Sequence, residues 1–178
     1  ENFNIYGNER YIYQYISEKY PEVEVKFDTE KIKLTTIDIE VASENGFPDV
    51  ESCAEEVLLI TLQDYATKQI RTWGRGAFNN KQDNVIYKGF NTEYELLTDF
   101  IHWWMIEDNT PEVITGWNSK LYDIPYLCRR IDRILGEKLK KRMSPWGLVT
   151  EEETYISGRK HLSYDIGGVS QLDYLDLY

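Results

Sequence analysis

Cysteine and histidine are both scarce in this chain, at two residues each in 178. Cys53 and Cys128 have neither a Cys-x-x-Cys spacing nor a histidine pair beside them, which argues against a zinc site. A disulfide between them stays open from sequence, and a reduced intracellular protein is the expectation. Long apolar runs are lacking too. No window approaches 18 apolar residues and no signal peptide precedes the first strand, so we expect a soluble, cytoplasmic protein without membrane contact. Positive charge is in deficit, with 20 Lys and Arg against 31 Asp and Glu and a net charge of −11. That balance argues against a protein that coats nucleic acid through a broad basic surface, though not against one that admits a single strand to a small cleft. Internal repeats and low-complexity tracts are absent from the sequence.

What is present describes a folded globule. Hydrophobic content is 42% and aromatic content 14%, enough for a real core in one domain, or one domain with an appendage. The chain begins at Glu1 without an initiator methionine. It stops in the dense apolar run Leu172-Asp173-Tyr174-Leu175-Asp176-Leu177-Tyr178. An element so apolar is a poor natural terminus, and the sequence reads as a piece of a longer protein.

The order of elements suggests an α/β fold. Asn8 is placed to cap a helix over roughly Glu9 to Lys19 that Pro21 ends. Lys31 to Val41 reads as a long strand, followed by a turn at Ser43-Glu44-Asn45-Gly46-Phe47-Pro48. Val57 to Tyr65 and Gln69 to Trp73 read as further strands, pairing as an antiparallel meander. After the polar loop Gly74 to Asn84 comes a short extended piece, Val85 to Phe90. Thr92-Glu93-Tyr94-Glu95 is a capping box that opens a helix of about 15 residues, with Leu96, Leu97, Phe100, Ile101 and Trp104 on one side. Pro111 precedes a buried strand, Val113 to Gly116. Asp123 is placed to cap the next helix, with Pro125 in its first turn and an end near Gly136. From Gly147 the pattern is a β-hairpin turning near Ser157-Gly158, then the terminal apolar run. Strands first and alternating helix and strand afterwards predict a mixed sheet flanked by helices.

Two clusters carry chemistry. Asp38 and Glu40 stand two apart in the β-branched stretch Leu34-Thr35-Thr36-Ile37-Asp38-Ile39-Glu40-Val41, so on a strand they project to one side. Two carboxylates about 6 Å apart repel by roughly 3 kcal/mol at an effective dielectric near 20. A divalent cation would offset that repulsion, and hard cations take carboxylate oxygens. An outer strand face alternating into water is the other reading. The second cluster is Thr115-Gly116-Trp117-Asn118-Ser119-Lys120-Leu121-Tyr122-Asp123-Ile124-Pro125-Tyr126. Here a strand ends, a loop carries Asn118 and a helix begins, the place where α/β sheets build ligand sites. For Asp123 alone, a cap is the other reading.

Taken together, Asp-x-Glu on a first strand and Asn-x-x-x-x-Asp-x-Pro-Tyr after a later one resemble the 3′→5′ exonuclease domain of family B DNA polymerases, nearest to those of T4-type bacteriophages. The similarity extends along most of the chain, including Gly46-Phe47-Pro48, Ile114 to Asn118 and Leu172 to Tyr178. It implies an RNase H-like fold of the DEDD exonuclease class, with residues 31–178 an exonuclease domain incomplete at its C-terminal end. Residues 1–30 would then be a remnant of the polymerase N-terminal domain. The implied activity is proofreading in a replicative DNA polymerase, hydrolysing 3′-terminal nucleotides with two Mg2+ or Mn2+ ions about 3.5–4 Å apart.

By the same resemblance Asp38 would bridge both ions, Glu40 would complete the first site, and Asp123 would serve the second directly or through water. Asn118 would orient substrate. Phe47 would pack on bases at the primer end, a sequence-tolerant contact worth about 1–3 kcal/mol per base; a loop aromatic covering the core is the other reading. The tip at Ser157, Gly158 and Arg159 would belong to a hairpin that separates primer from template, with an ordinary structural hairpin as the alternative. The implied partners are single-stranded DNA at the primer 3′ end and the remainder of the polymerase chain, with a sliding clamp and other replication proteins reached through other domains. If the source is a phage, the compartment would be the host cytoplasm.

One departure stands out. The family's third motif, Tyr-x-x-x-Asp, supplies a fourth metal ligand, and no tyrosine here has an aspartate four residues on. His161 and Asp165 have the wrong spacing for the related His-containing class. Asp173 and Asp176 match a different family segment, without a metal role. We therefore expect the fourth aspartate to lie beyond Tyr178, and the 178 residues to bind metal weakly and degrade single-stranded DNA slowly or not at all. Another RNase H-like nuclease and a non-catalytic nucleic-acid-binding scaffold are the alternatives.

Overall fold

The computed structural model describes residues 11–21, 28, 31–44, 46–156 and 158–177. Helix α1 (Tyr11–Lys19) is followed by strands β1 (Leu34–Val41), β2 (Val57–Asp64), β3 (Ile70–Arg75) and β4 (Val85–Phe90). Then come α2 (Glu93–Trp104), β5 (Val113–Gly116), α3 (Asp123–Leu135), the short α4 (Glu137–Lys140), β6 (Val149–Ile156), β7 (Arg159–Ile166) and β8 (Ser170–Asp173). The expected cap Asn8, the turn residue Asn45 and the hairpin residue Ser157 lie outside the described residues.

Six strands form one mixed sheet in the order β4-β3-β2-β1-β5-β8, and β6 and β7 form a separate two-stranded hairpin. The β1-β2-β3 meander is antiparallel as expected, while β4, β5 and β8 each pair in parallel with their neighbours. Strand β1 begins at Leu34, with the β-branched run and three residues later than the expected start at Lys31. The Lys33 amide donates to the Glu112 carboxylate at 3.0 Å, and its carbonyl accepts from Glu112 and Val113. Those bonds turn residues 31–33 into the entry of the strand.

The core lies between α2 and α3 and the sheet face carrying Ile37, Ile39, Ile60, Leu62, Trp73 and Ile114. Helix α2 starts at the expected capping box, with Thr92 Oγ1 accepting from Glu95 N and Glu95 returning a bond to Thr92 N. Its five apolar residues named above are fully buried. Each such side chain contributes about 1.5–3 kcal/mol on removal from water. The helix stops after 12 residues, because Asn109 Nδ2 and Thr110 Oγ1 take the carbonyls of Trp103 and Trp104.

A buried ion pair ties these layers together. Arg130 of α3 grips Glu93 of α2 in a two-pronged contact of 2.6 and 2.7 Å, and Glu93 also accepts from the amide of Val57 at 2.8 Å. Both side chains are over nine-tenths buried, so each charge depends on the other for compensation.

Candidate active site

Strand β1 outruns its parallel neighbour. β5 pairs with it only at Leu34, Thr35 and Thr36, leaving the later amides on that side free of a sheet partner. Gly116, the last residue of β5, passes so close that a Cβ there would lie 2.7 Å from the Ile37 carbonyl oxygen. The chain then turns through Asn118 in the left-handed region, φ 58°, a conformation Asn tolerates better than most residues. It enters α3 at Asp123.

Asp123 does not cap its own helix, contrary to the expectation. The capping position belongs to Tyr122, which makes no side-chain cap bond. The carboxylate instead reaches across to β1, where Oδ1 accepts from the amide of Ile39 at 2.9 Å. That amide lies between Asp38 and Glu40. Both of these are exposed and project from the sheet face opposite Ile37 and Ile39, as the two-residue period requires. Asp123 is buried. Burial pushes its carboxyl up to about 6, the Asp38 charge adds to the rise, and the Ile39 hydrogen bond opposes it.

Asp123 of α3 thus meets the stretch of β1 that carries Asp38 and Glu40. Among the described residues, however, no group of three or more His, Cys, Asp or Glu side chains is gathered closely enough to hold a metal ion. The donor set still suits a hard divalent cation. It is all carboxylate, and one member bears a buried charge that such an ion relieves.

Asp173 holds the Asn118 loop in place. Its Oδ1 accepts from the amides of Asn118 and Leu175, and its Oδ2 from that of Lys120, at 2.8–2.9 Å. This role was not readable in the terminal apolar run. His161 and Asp165 sit on β7, and Asp165 faces Thr150 across the hairpin.

The loop after β1 carries Phe47, which is 84% exposed. Its ring meets Tyr122 at 5.2 Å, and Tyr122 in turn meets Tyr126 at 5.8 Å. The Tyr122 hydroxyl is raised by burial first, then by the charges of Asp123, Cys53 and Glu40. Tyr122 therefore stands beside both the aromatic cluster and the carboxylates. Helix α3 grips the rest of the loop. Tyr126 donates to the Glu55 carbonyl, Arg129 to Glu51, Arg130 to Cys53 and Ala54, and Arg133 to Ser52 and Cys53. Sequence reasoning named Tyr126 only as part of its second motif and passed over Arg129, Arg130 and Arg133. Tyr126, Arg130 and Arg133 share a helix face at i, i+4 and i+7, and that spacing was the available signal. Cys53 and Cys128 are buried free thiols, both pushed up chiefly by burial, Cys53 to about 11 and Cys128 to about 12.

Ile156 pairs with Arg159, and Gly158 adopts φ 77°, a left-handed geometry that suits glycine in a tight hairpin. Leu162, Tyr164 and Ile166 bury its base in the core, while Tyr155 near the tip is exposed. Among the described residues no helix is long and apolar enough to cross a membrane.

Comparison with known proteins agrees with the expected resemblance. Residues 4–178 match the DNA polymerase family B exonuclease domain, in keeping with the RNase H-like mixed sheet and C-terminal hairpin seen here. The chain is 31% identical to the DNA-directed DNA polymerase of Escherichia phage RB69 and 33% identical to that of Enterobacteria phage T4. Each match covers 92% of this chain and 21% of the relative. It is 33% identical to the DNA polymerase catalytic subunit of Human herpesvirus 6A (strain Uganda-1102), over 80% of this chain and 15% of that protein. The chain spans about a fifth of the length of its phage relatives. It belongs to the family B DNA polymerases and corresponds to their exonuclease domain.

Proposed function

We propose that this chain is the proofreading 3′→5′ exonuclease region of a replicative DNA polymerase, acting on the single-stranded 3′ end of a primer. The observation that carries the reading is the bond from Ile39 to Asp123, which brings a buried carboxylate to the strand segment bearing Asp38 and Glu40. Asp38, Glu40 and Asp123 would hold Mg2+ or Mn2+. Asp38 and Glu40 are exposed, and their side chains would have to rotate toward Asp123 to complete the site. Bound divalent cations would supply positive charge to the attacking water and the leaving 3′ oxygen.

The chain's own residues supply position. Phe47, backed by Tyr122, offers an aromatic face to the terminal base, and the loop fixed by Asp173 presents Asn118 to the substrate. The hairpin around Gly158 keeps the partner strand away. Residues 31–178 form the exonuclease unit and residues 1–30 belong to a preceding polymerase domain. The basic track for the duplex, and contacts with a clamp or other replication proteins, come from other parts of a polymerase chain working in the host cytoplasm. Because Tyr-x-x-x-Asp does not occur in the sequence, the fourth ligand is not supplied by these residues and cleavage by them alone is slow.

A 5′-labelled single-stranded oligonucleotide incubated with the chain and Mn2+ tests the reading. We expect metal-dependent binding at the 3′ end, slow release of 3′-terminal mononucleotides, and loss of both in Asp38→Ala. Vigorous cleavage abolished by Asp38→Ala would show that the fourth ligand is replaced from within the chain. Failure to bind 3′ ends with metal present would overturn the reading.

A further inference from the structure

We infer that Arg129 sets the spacing between the Phe47 loop and the hairpin, and so determines how readily a paired primer end is opened; this rests on the exonuclease reading above. Arg129 lies six residues after Asp123 on α3, and its guanidinium divides between two elements. Nη1 donates to the Glu51 carbonyl of the loop at 2.6 Å, and Nη2 to Glu151 Oε1 of β6 at 3.0 Å. The second oxygen of Glu151 accepts from the Tyr164 hydroxyl of β7 at 2.5 Å. One planar group thereby joins the loop, the helix and both hairpin strands.

Its neighbours do not do the same. Arg130 and Arg133 also hold the loop, but their contacts run to Glu93 and to the Ser52, Cys53 and Ala54 carbonyls, not to the hairpin. The base of the hairpin is anchored by apolar burial of Leu162, Tyr164 and Ile166. That fixes the base without fixing how far the strands lean toward the loop. Between the two elements runs a groove of about 360 Å³, lined by Phe47, Pro48 and Glu51 on one side and Lys160, His161 and Leu162 on the other. Arg129 lines the adjoining cleft with Glu51, Glu151 and Tyr164, and by tying Glu51 to Glu151 it holds the walls of the groove at a fixed separation. A lysine keeps the charge but lacks the fork that serves two acceptors in different directions.

Arg129→Lys and Arg129→Met test the assignment with two readouts. The first is amide hydrogen exchange of β6 and β7. Both variants should exchange about two- to fivefold faster there, the scale of a partly exposed ion pair, with β1 to β3 unchanged. The second is fluorescence of 2-aminopurine at the 3′ end of an oligonucleotide, with Ca2+ in place of the catalytic ion and this region carried in a complete family B polymerase that supplies the duplex track. Both variants should lose most of the signal on duplex ends and keep it on single strands, a split that general loosening of the fold would not give. Unchanged hairpin exchange in both variants would overturn the inference, as would Arg129→Lys matching wild type in duplex opening. If the wild-type chain gives no signal on single strands, the exonuclease reading fails, and hydrogen exchange still decides the spacing role of Arg129.

Discussion

The Asp123 carboxylate accepts a hydrogen bond from the Ile39 amide at 2.9 Å, so the first residue of α3 is fastened to β1 midway between Asp38 and Glu40. The bond uses an amide that β5 leaves unpaired. It holds an acid in a buried place where its charge is costly, the arrangement expected of a group kept for a cation or for chemistry and not for stability.

Stability should therefore run against pH at this residue. The Asp123 carboxyl is raised from 3.8 to about 6 by burial first and by Asp38 after the opposing Ile39 bond. Below the unfolded value both states are protonated and the contribution to stability is complete; it is lost as pH rises through about 6. Asp123→Asn keeps an acceptor for Ile39 and removes the charge. In EDTA it should be more stable than wild type by about 2–3 kcal/mol at pH 7.5, and equal to it near pH 4. Urea denaturation at the two pH values checks this. An equal gap at both would contradict it.

Asp173 should matter for the loop and not for the metal. Three backbone amides converge on its carboxylate. Asp173→Asn turns one acceptor into a donor facing an N–H group, at a cost of about 1–3 kcal/mol. Hydrogen exchange at residues 117–120 should quicken, while metal affinity falls far less than in Asp38→Ala.

Gly116→Ala should be poorly tolerated. The new Cβ would lie 2.7 Å from the Ile37 carbonyl oxygen and 2.8 Å from Ser119 Cβ. The first of these is backbone and cannot swing aside. We expect a loss of about 1–3 kcal/mol, read as a lower urea midpoint with the slope unchanged.

Breaking the Glu93–Arg130 pair from either side should cost about 3–5 kcal/mol, because the survivor is a buried charge without its partner. Glu93→Gln, Arg130→Met and the double variant form a cycle, and the double should cost less than the sum of the singles. Simple additivity in chemical denaturation would show that the two act independently.

Much of this was legible in the sequence because local physics sets it. The Thr92 capping box, the alternation of β1 and the hairpin of β6 and β7 all follow from short-range pattern, and each formed where expected. The projection of Asp38 and Glu40 from one face of β1 was legible for the same reason. Asp123 was identified by its motif, but its local reading as a cap was wrong, since an amide 84 positions away in sequence competes for the carboxylate. Asp173 and Arg129 were illegible for a related reason. Their partners come from other segments of the chain, and no spacing within one element encodes which carbonyl or amide will face them.

The most direct test is Mn2+ binding to the metal-free chain at pH 7.5, followed by its water-proton relaxation enhancement. The account requires weak binding that Mg2+ displaces, that Asp38→Ala and Asp123→Asn each reduce at least tenfold, and that Asp173→Asn leaves nearly intact. Binding unchanged by Asp38→Ala and Asp123→Asn, or no binding at millimolar Mn2+, would contradict it.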